Sequence, residues 1–271
     1  MNKPLKLTTV SLILLTVFAI LPSLAKVTNL KDSAVGIWLF EGDTKDSSGN
    51  ANHGKLMGGA SFSDTAKFNK KALSLDGKDG HVVVKASATL DSTANNYSGL
   101  AWIKIKKKTK VVLGGCCNDD HVIISYAGFT NLINVFGPGR GGGHGKIEIG
   151  SGQIAPAWNA GPELVNDDKW HHLAFTYNGK KKMLYVDGKV SVDVAASGTF
   201  GLKGKDLWIG AQSPNRRPTS GLIDDVGVFN KALSAANINT ILKDGLGSIL
   251  ATTAGSPKDR LTTTWSHIKS Q

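Results

Sequence analysis

The sequence predicts an all-β protein, a two-sheet antiparallel β-sandwich with one short C-terminal helix. Three observations carry that expectation. The chain holds 32 glycines against 8 prolines, a turn-rich composition without collagen or proline-linker character. Its carboxylates are three glutamates (Glu41, Glu148 and Glu163) against eighteen aspartates. Helices favour Glu, whereas turns and caps favour Asp. Short alternating or β-branched apolar runs recur between turn signals, and one segment alone has convincing helical spacing.

The first 25 residues read as an export signal. Met1 to Lys6 is basic, Leu7 to Leu21 is apolar, and Pro22 breaks the run. Ser23-Leu-Ala25 then supplies small residues at the −3 and −1 positions of a peptidase cut. The apolar run is short for a membrane span, which needs about 20 residues. The expected layout is a signal peptide over 1–25, one domain over 26–250 and a tail over 251–271. The mature chain is expected outside the cytoplasm.

The strands follow in order. Val35-Gly-Ile-Trp-Leu-Phe40 is apolar, and Ala72-Leu-Ser-Leu75 turns through two Asp-Gly pairs into His81-Val-Val-Val84. Leu100-Ala-Trp-Ile-Lys-Ile105, His121-Val-Ile-Ile124, Leu132 to Phe136 and Lys146-Ile-Glu-Ile149 keep the rhythm. Trp170-His-His-Leu-Ala-Phe-Thr-Tyr177, Met183-Leu-Tyr-Val186 and Val190-Ser-Val-Asp-Val194 are joined by Asn178-Gly179 and Asp187-Gly188. Those dipeptides suit tight hairpin turns, so the three runs predict a meander. Leu207-Trp-Ile209 and Gly221 to Phe229 complete the set. Ser234 caps the helix, Ile238, Ile241 and Leu242 recur along it, and Gly245 stops it.

Four ordered blocks resemble a known family. Trp38-Leu-Phe-Glu41 with Asp46-Ser-Ser-Gly-Asn50-Ala-Asn-His53-Gly54, then Ala72-Leu-Ser-Leu-Asp-Gly77, are the first two. Trp170 to Tyr177 with Leu184-Tyr-Val-Asp-Gly188, and Gly221-Leu-Ile-Asp-Asp-Val226 with Phe229-Asn-Lys-Ala-Leu-Ser234, are the others. Together they resemble LamG-like jellyroll domains of the concanavalin A-like lectin/glucanase superfamily. The resemblance implies a jelly roll and a binding role. It also implies a structural Ca²⁺ held by Asp46, Asn50 and Asp224, since the 46–50 turn is rich in the oxygen donors calcium takes. Simple alternation puts Asp224 on a strand face with Leu222, Val226 and Val228, where a lone carboxylate is costly. The alternative is that Asp224 accepts backbone N–H bonds and Asp46 shapes a turn.

Catalysis finds little support. Hydrolytic relatives use paired carboxylates on one strand, and no glutamate here has another within five residues. His171-His172 would face opposite sides of a strand, one packed and one exposed. The glycine-rich run at 137–146 lacks the Gly and the Ser/Thr of a phosphate loop. Cys116 and Cys117 are adjacent, so no disulfide framework staples the fold. No catalytic residue is assigned.

Charge suggests a partner. Lys+Arg 32 against Asp+Glu 21 gives +11, or +9 once Lys3 and Lys6 leave with the signal. Lysines cluster at 104–110 and 180–182, with Arg216-Arg217 beyond, and converging clusters would suit an anionic polysaccharide. The expected ligand rim comprises Asn118, Asp119, Arg140, His144 and Trp158. The favoured function is a secreted glycan-binding or cell-surface adhesion module. A protein-interaction or envelope structural module is the alternative, and an atypical glycoside hydrolase or lyase comes third.

Overall fold

Seventeen strands and four short helices account for most of residues 30–107, 120–127, 130–137, 143–214 and 216–251, which the computed structural model describes. The strands are β1 (Ala34–Trp38), β2 (Gly54–Met57), β3 (Ser61–Ser63), β4 (Ala72–Asp76), β5 (His81–Val84), β6 (Tyr97–Lys106), β7 (His121–Tyr126), β8 (Thr130–Val135) and β9 (Lys146–Gly150). Then come β10 (Ile154–Ala155), β11 (Trp158–Leu164), β12 (Asp167–Tyr177), β13 (Lys181–Val186), β14 (Lys189–Ala195), β15 (Ser197–Gly198), β16 (Leu207–Ile209) and β17 (Ser220–Phe229). The helices are α1 (Leu30–Ser33), α2 (Ala88–Asp91), α3 (Ala235–Asp244) and α4 (Gly247–Ala251). Residues 1–29, which include the expected signal peptide, Cys116, Cys117 and the expected tail beyond 251 lie outside the described residues.

Two antiparallel sheets form the jelly-roll sandwich. One has seven strands in the order β11-β9-β8-β7-β16-β5-β2. The other has eight: β14-β13-β12-β6-β17-β4-β3, with β1 also on β17. The expected meander is its β12-β13-β14 edge, in register from Leu173↔Val186 and Leu184↔Val192. Asp187 and Gly188 both take positive φ (48° and 77°), as a tight hairpin turn requires.

Strand β17 carries two neighbours along one side. Its first half pairs with β4 and its second half with β1. Between them a bulge breaks the register with β6, at Asp225 (φ 47°). This bulge overturns the shared-face reading of Asp224. An extra residue flips the alternation, so Val226 and Val228 enter the core between the sheets. Asp224 pairs with Trp102 instead, beneath the segment that carries Lys67 and Phe68.

Two cores result. The inner faces of both sheets pack Leu73, Val82, Ile103, Ile133, Phe175 and Ile209, all fully buried. Helix α3 lays Ile238 and Ile241 on the outer face of the eight-stranded sheet, against Leu100, Ala174 and Phe229. Ser234 and Asn237 form a reciprocal capping box at its start, and Gly245 ends it at φ 73°. A further helix, α4, follows the expected one.

The two lysine runs do not converge. Lys104 and Lys106 lie at the far end of β6, whereas Lys180 and Lys181 flank the β12–β13 turn near Tyr97. Nine residues of extended strand separate these ends, about 30 Å. Lys182 is buried and donates to the carbonyls of Pro156 and Ala157. Lys108 and Lys110 lie outside the described residues.

Candidate functional site

The seven-stranded sheet owes its outer face to alternation. Val82 and Val84 on β5, and Leu207 and Ile209 on β16, point into the core. His81, Val83 and Trp208 therefore point outward. Register lines them up: Lys55↔Val83↔Trp208 across three strands, with Met57↔His81 beside that row. The His81 and Trp208 rings stack with centroids 4.7 Å apart and planes 18° from parallel. They line a cavity of about 480 Å³ that also takes in His53, Lys55, Met57 and Lys85. The half-buried Trp208 ring, backed by the buried His81, sits among polar and charged groups, and the cavity is within the volume range of small-molecule sites.

The surrounding turns are held by carboxylates. Asp76 Oδ1 accepts from the N–H groups of Lys78, Asp79 and Gly80, which fixes the β4–β5 turn. Asp79 Oδ1 accepts from Gly59 N (2.8 Å), tying the β2–β3 turn to it. A Cβ on Gly58 would lie 2.5 Å from the Asp79 carbonyl oxygen, and its φ of 55° favours glycine again. His81 Nδ1 lies 2.6 Å from that same carbonyl, which only accepts, so Nδ1 is the donor and fixes the ring. On the other side Lys85 Nζ meets Asp206 Oδ2 at 2.9 Å, and Ala86 N donates to Oδ1. Burial pushes the Asp206 carboxyl up, but Lys85 and the Ala86 N–H outweigh it and hold it below 3.8.

The expected rim is only partly described. Asn118, Asp119 and Arg140 lie outside the described residues. His144 is half-buried before β9, while Trp158, 40% exposed, pairs with Gly150 at the other end of that strand. The structure does not bring these two together. Both also lie toward the β11 edge, with the Trp208 platform toward the β2 edge. The platform was missed, although the Leu207-Trp-Ile209 alternation carried the signal: with both aliphatics inward, Trp208 must face out.

The three residues expected to hold calcium all make hydrogen bonds within the protein, the two aspartates as acceptors and Asn50 as a donor. Asp46 Oδ1 accepts from Ile37 N and Ser48 N, and Oδ2 from Asn52 N and Ser48 Oγ, all at 2.8–2.9 Å. Asn50 Nδ2 donates to the carbonyls of Ala34 and Val35. Asp224 accepts from the N–H groups of Lys67, Phe68 and Asp225. These contacts match those of the hydrogen-bonded alternative. Among the described residues no group of three or more His, Cys, Asp or Glu is arranged to hold a metal.

Other ionisable groups have protein partners as well. The glutamates sit apart in their contacts: Glu41 accepts from Lys70 N and Lys71 N, Glu148 from Asn134, and Glu163 from Ser191. His172 is buried against Trp102, and burial pushes its pKa down to about 4. His171 is not a free exposed ring; it bridges Asp187 (2.9 Å) and Asp167 (3.0 Å), and the two carboxylates hold its pKa above 6.5.

Comparison with known proteins bears on the fold. The sequence profile of the concanavalin A-like lectin/glucanases superfamily matches residues 76–239. Among curated proteins none matches. Domain 4 of AbnA, a GH43 extracellular arabinanase from Geobacillus stearothermophilus solved with arabinotriose, is 19% identical. It aligns with a TM-score of 0.56 over 78% of this chain and 98% of that domain. The binding domain of botulinum neurotoxin DC, solved with SialylT, is 17% identical at TM-score 0.56, over 81% of this chain and 52% of that one. The binding domain of Paraclostridial Mosquitocidal Protein 1 is 14% identical at TM-score 0.56, covering 79% and 52%. The chain thus spans about half the length of these toxin domains. Similarities at this level establish the shared fold.

Proposed function

The chain belongs to the concanavalin A-like lectin/glucanases superfamily, and on that premise we propose that it is a secreted, non-catalytic glycan-binding module whose saccharide ring lies on the Trp208–His81 platform. One observation carries this reading: two stacked aromatic rings form the wall of a cavity rimmed by ammonium, imidazole and carboxylate groups. The apolar face of a sugar ring buries against an aromatic face, and its hydroxyls need donors and acceptors at the edge. Lys55, His53 and Asp79 supply them. Relatives of the same fold were solved with arabinotriose and with SialylT, which supports a glycan as the ligand class. The apolar leader and its small-residue cut site support export. Among the described residues no helix is long and apolar enough to cross a membrane.

The test is a glycan array on the mature chain, followed by titration of the strongest hit. Trp208→Ala should weaken binding about tenfold or more, as loss of a buried aromatic anchor does. Trp208→Phe, which keeps a ring, should fall between. Unchanged affinity in Trp208→Ala, with the fold intact by circular dichroism, would remove the platform from the site.

A further inference from the structure

We propose a second, independent site, for the sulfate or carboxylate groups of an anionic polysaccharide, in a cationic groove on the outer face of the eight-stranded sheet. It does not rest on the platform reading, because it lies on the opposite sheet and uses different chemistry.

Alternation builds it. Ala101, Ile103 and Ile105 of β6 enter the core, so Trp102, Lys104 and Lys106 line up on the outer face. Lys104 pairs with Leu222 of β17, and Lys106 with Asp167 at the start of β12. The groove is about 380 Å³ and is lined by Thr65, Lys104, Lys106, Asp168, Ser220 and Leu222. Its floor at Gly221 is bare backbone, since a Cβ there would lie 2.5 Å from the Lys104 carbonyl.

Its charge is unbalanced. Both ammonium groups face one carboxylate: Lys104 Nζ is 3.4 Å from Asp168 Oδ1, and Lys106 Nζ is 3.4 Å from Oδ2. Charge-assisted bonds run about 2.7–2.9 Å, so Asp168 is shared loosely and one positive charge is left over. Lys67 lies farther along the same face, its Nζ 4.2 Å from the Trp102 ring centroid, with the Asp224 carboxylate beneath its backbone. Thr65 and Ser220 bring hydroxyl donors to the same wall. Two cations, hydroxyls and an open floor suit an oxyanion on an extended chain. Asp168 then acts as a built-in competitor that the ligand displaces.

The probes are dextran sulfate, polygalacturonate and neutral dextran, titrated against the mature chain at low and high salt. The sulfated and carboxylated arms separate the two anionic groups. Binding should fall as salt shortens screening to about 8–10 Å and below, and neutral dextran should not compete. Lys104→Gln with Lys106→Gln should weaken anion binding about tenfold, a few-fold per exposed contact. Because Lys104 also donates to the Asp168 carbonyl, Lys106→Gln alone, at a side chain 76% exposed, is the safeguard against misfolding. Asp168→Asn should tighten binding several-fold; Asn tolerates the positive φ of 63° there. A purely structural role for these residues would give no gain. The proposal falls if neither anionic polymer binds at low salt, if Asp168→Asn fails to tighten binding, or if the double variant binds as the parent does. It also falls if Lys55→Gln, in the platform cavity, is the change that removes anion binding.

Discussion

Replacing Asp225 by Asn should make the protein more stable at pH 8 and flatten its dependence on pH. Asp225 is fully buried at the β17 bulge. Its Oδ2 accepts from Leu246 N at 2.7 Å, but Oδ1 is buried with no hydrogen-bond partner among the described residues. Burial, with Asp224 and Glu41 adding repulsion, pushes the carboxyl from 3.8 up to about 7. A raised carboxyl means the folded state binds the extra proton. Stability is therefore highest below 3.8 for this group, falls as pH rises toward 7, and stays low above it. At about 1.36 kcal/mol per pH unit of that gap, the ionised form costs the fold up to about 4 kcal/mol. Asn keeps an acceptor for Leu246 N and carries no charge. With roughly 2–4 °C per kcal/mol for a domain of this size, Asp225→Asn should melt higher at pH 8 by up to about 8–16 °C and near the parent at pH 4. Thermal melts by circular dichroism at both pH values decide it. A variant equal to or less stable than the parent at pH 8 would refute the reasoning, since it would mean that the buried carboxylate is compensated.

Three further outcomes follow from contacts already described. His171→Gln should lower the melting temperature most at pH 5.5, with the gap closing by pH 9, because a raised imidazole stabilises the fold only while protonated; a gap independent of pH would remove the Asp167–His171–Asp187 bridge as its source. Calcium and chelator should give superimposable melts, given that Asp46 and Asp224 already accept protein hydrogen bonds; a drop of several degrees in chelator would reinstate the cation. Gly58→Ala should weaken glycan binding several-fold, because the added Cβ would force the β2–β3 turn away from Asp79; titration at unchanged binding would show that the turn does not shape the cavity.

Much of the fold was legible because alternation and turn chemistry agree. The β12-β13-β14 meander, β5 and β16 follow directly from short apolar or β-branched runs bounded by turn residues. Strands β2 and β11 were missed for a physical reason. Gly54-Lys-Leu-Met57 offers one inward aliphatic, Leu56, and Trp158-Asn-Ala-Gly-Pro-Glu-Leu164 contains Gly and Pro. Both are edge strands of the seven-stranded sheet, where pairing on one side is enough and proline is tolerated. The long-range partners were out of reach as well. Nothing in the order of residues says that Lys104 and Lys180 fall at opposite ends of one sheet, because that depends on which strands pair antiparallel.

Asp224 marks the limit of reading faces by counting. A period-two rule is a statement about an unbroken strand, and one inserted residue reverses it from that point on. The bulge at Asp225 reverses β17 between Leu222 and Val226, which sends two valines inward and leaves Asp224 to receive three backbone N–H groups. The carboxylate that looked stranded on an apolar face is the anchor for the 67–68 segment, which in turn carries Lys67 over Trp102. The outer face of the eight-stranded sheet thus owes part of its positive charge to the bulge. The seven-stranded sheet has no such break between Lys55, Val83 and Trp208, so its row stays in register and the aromatic platform forms there. One sheet is regular where it presents rings, and the other is irregular where it presents charge.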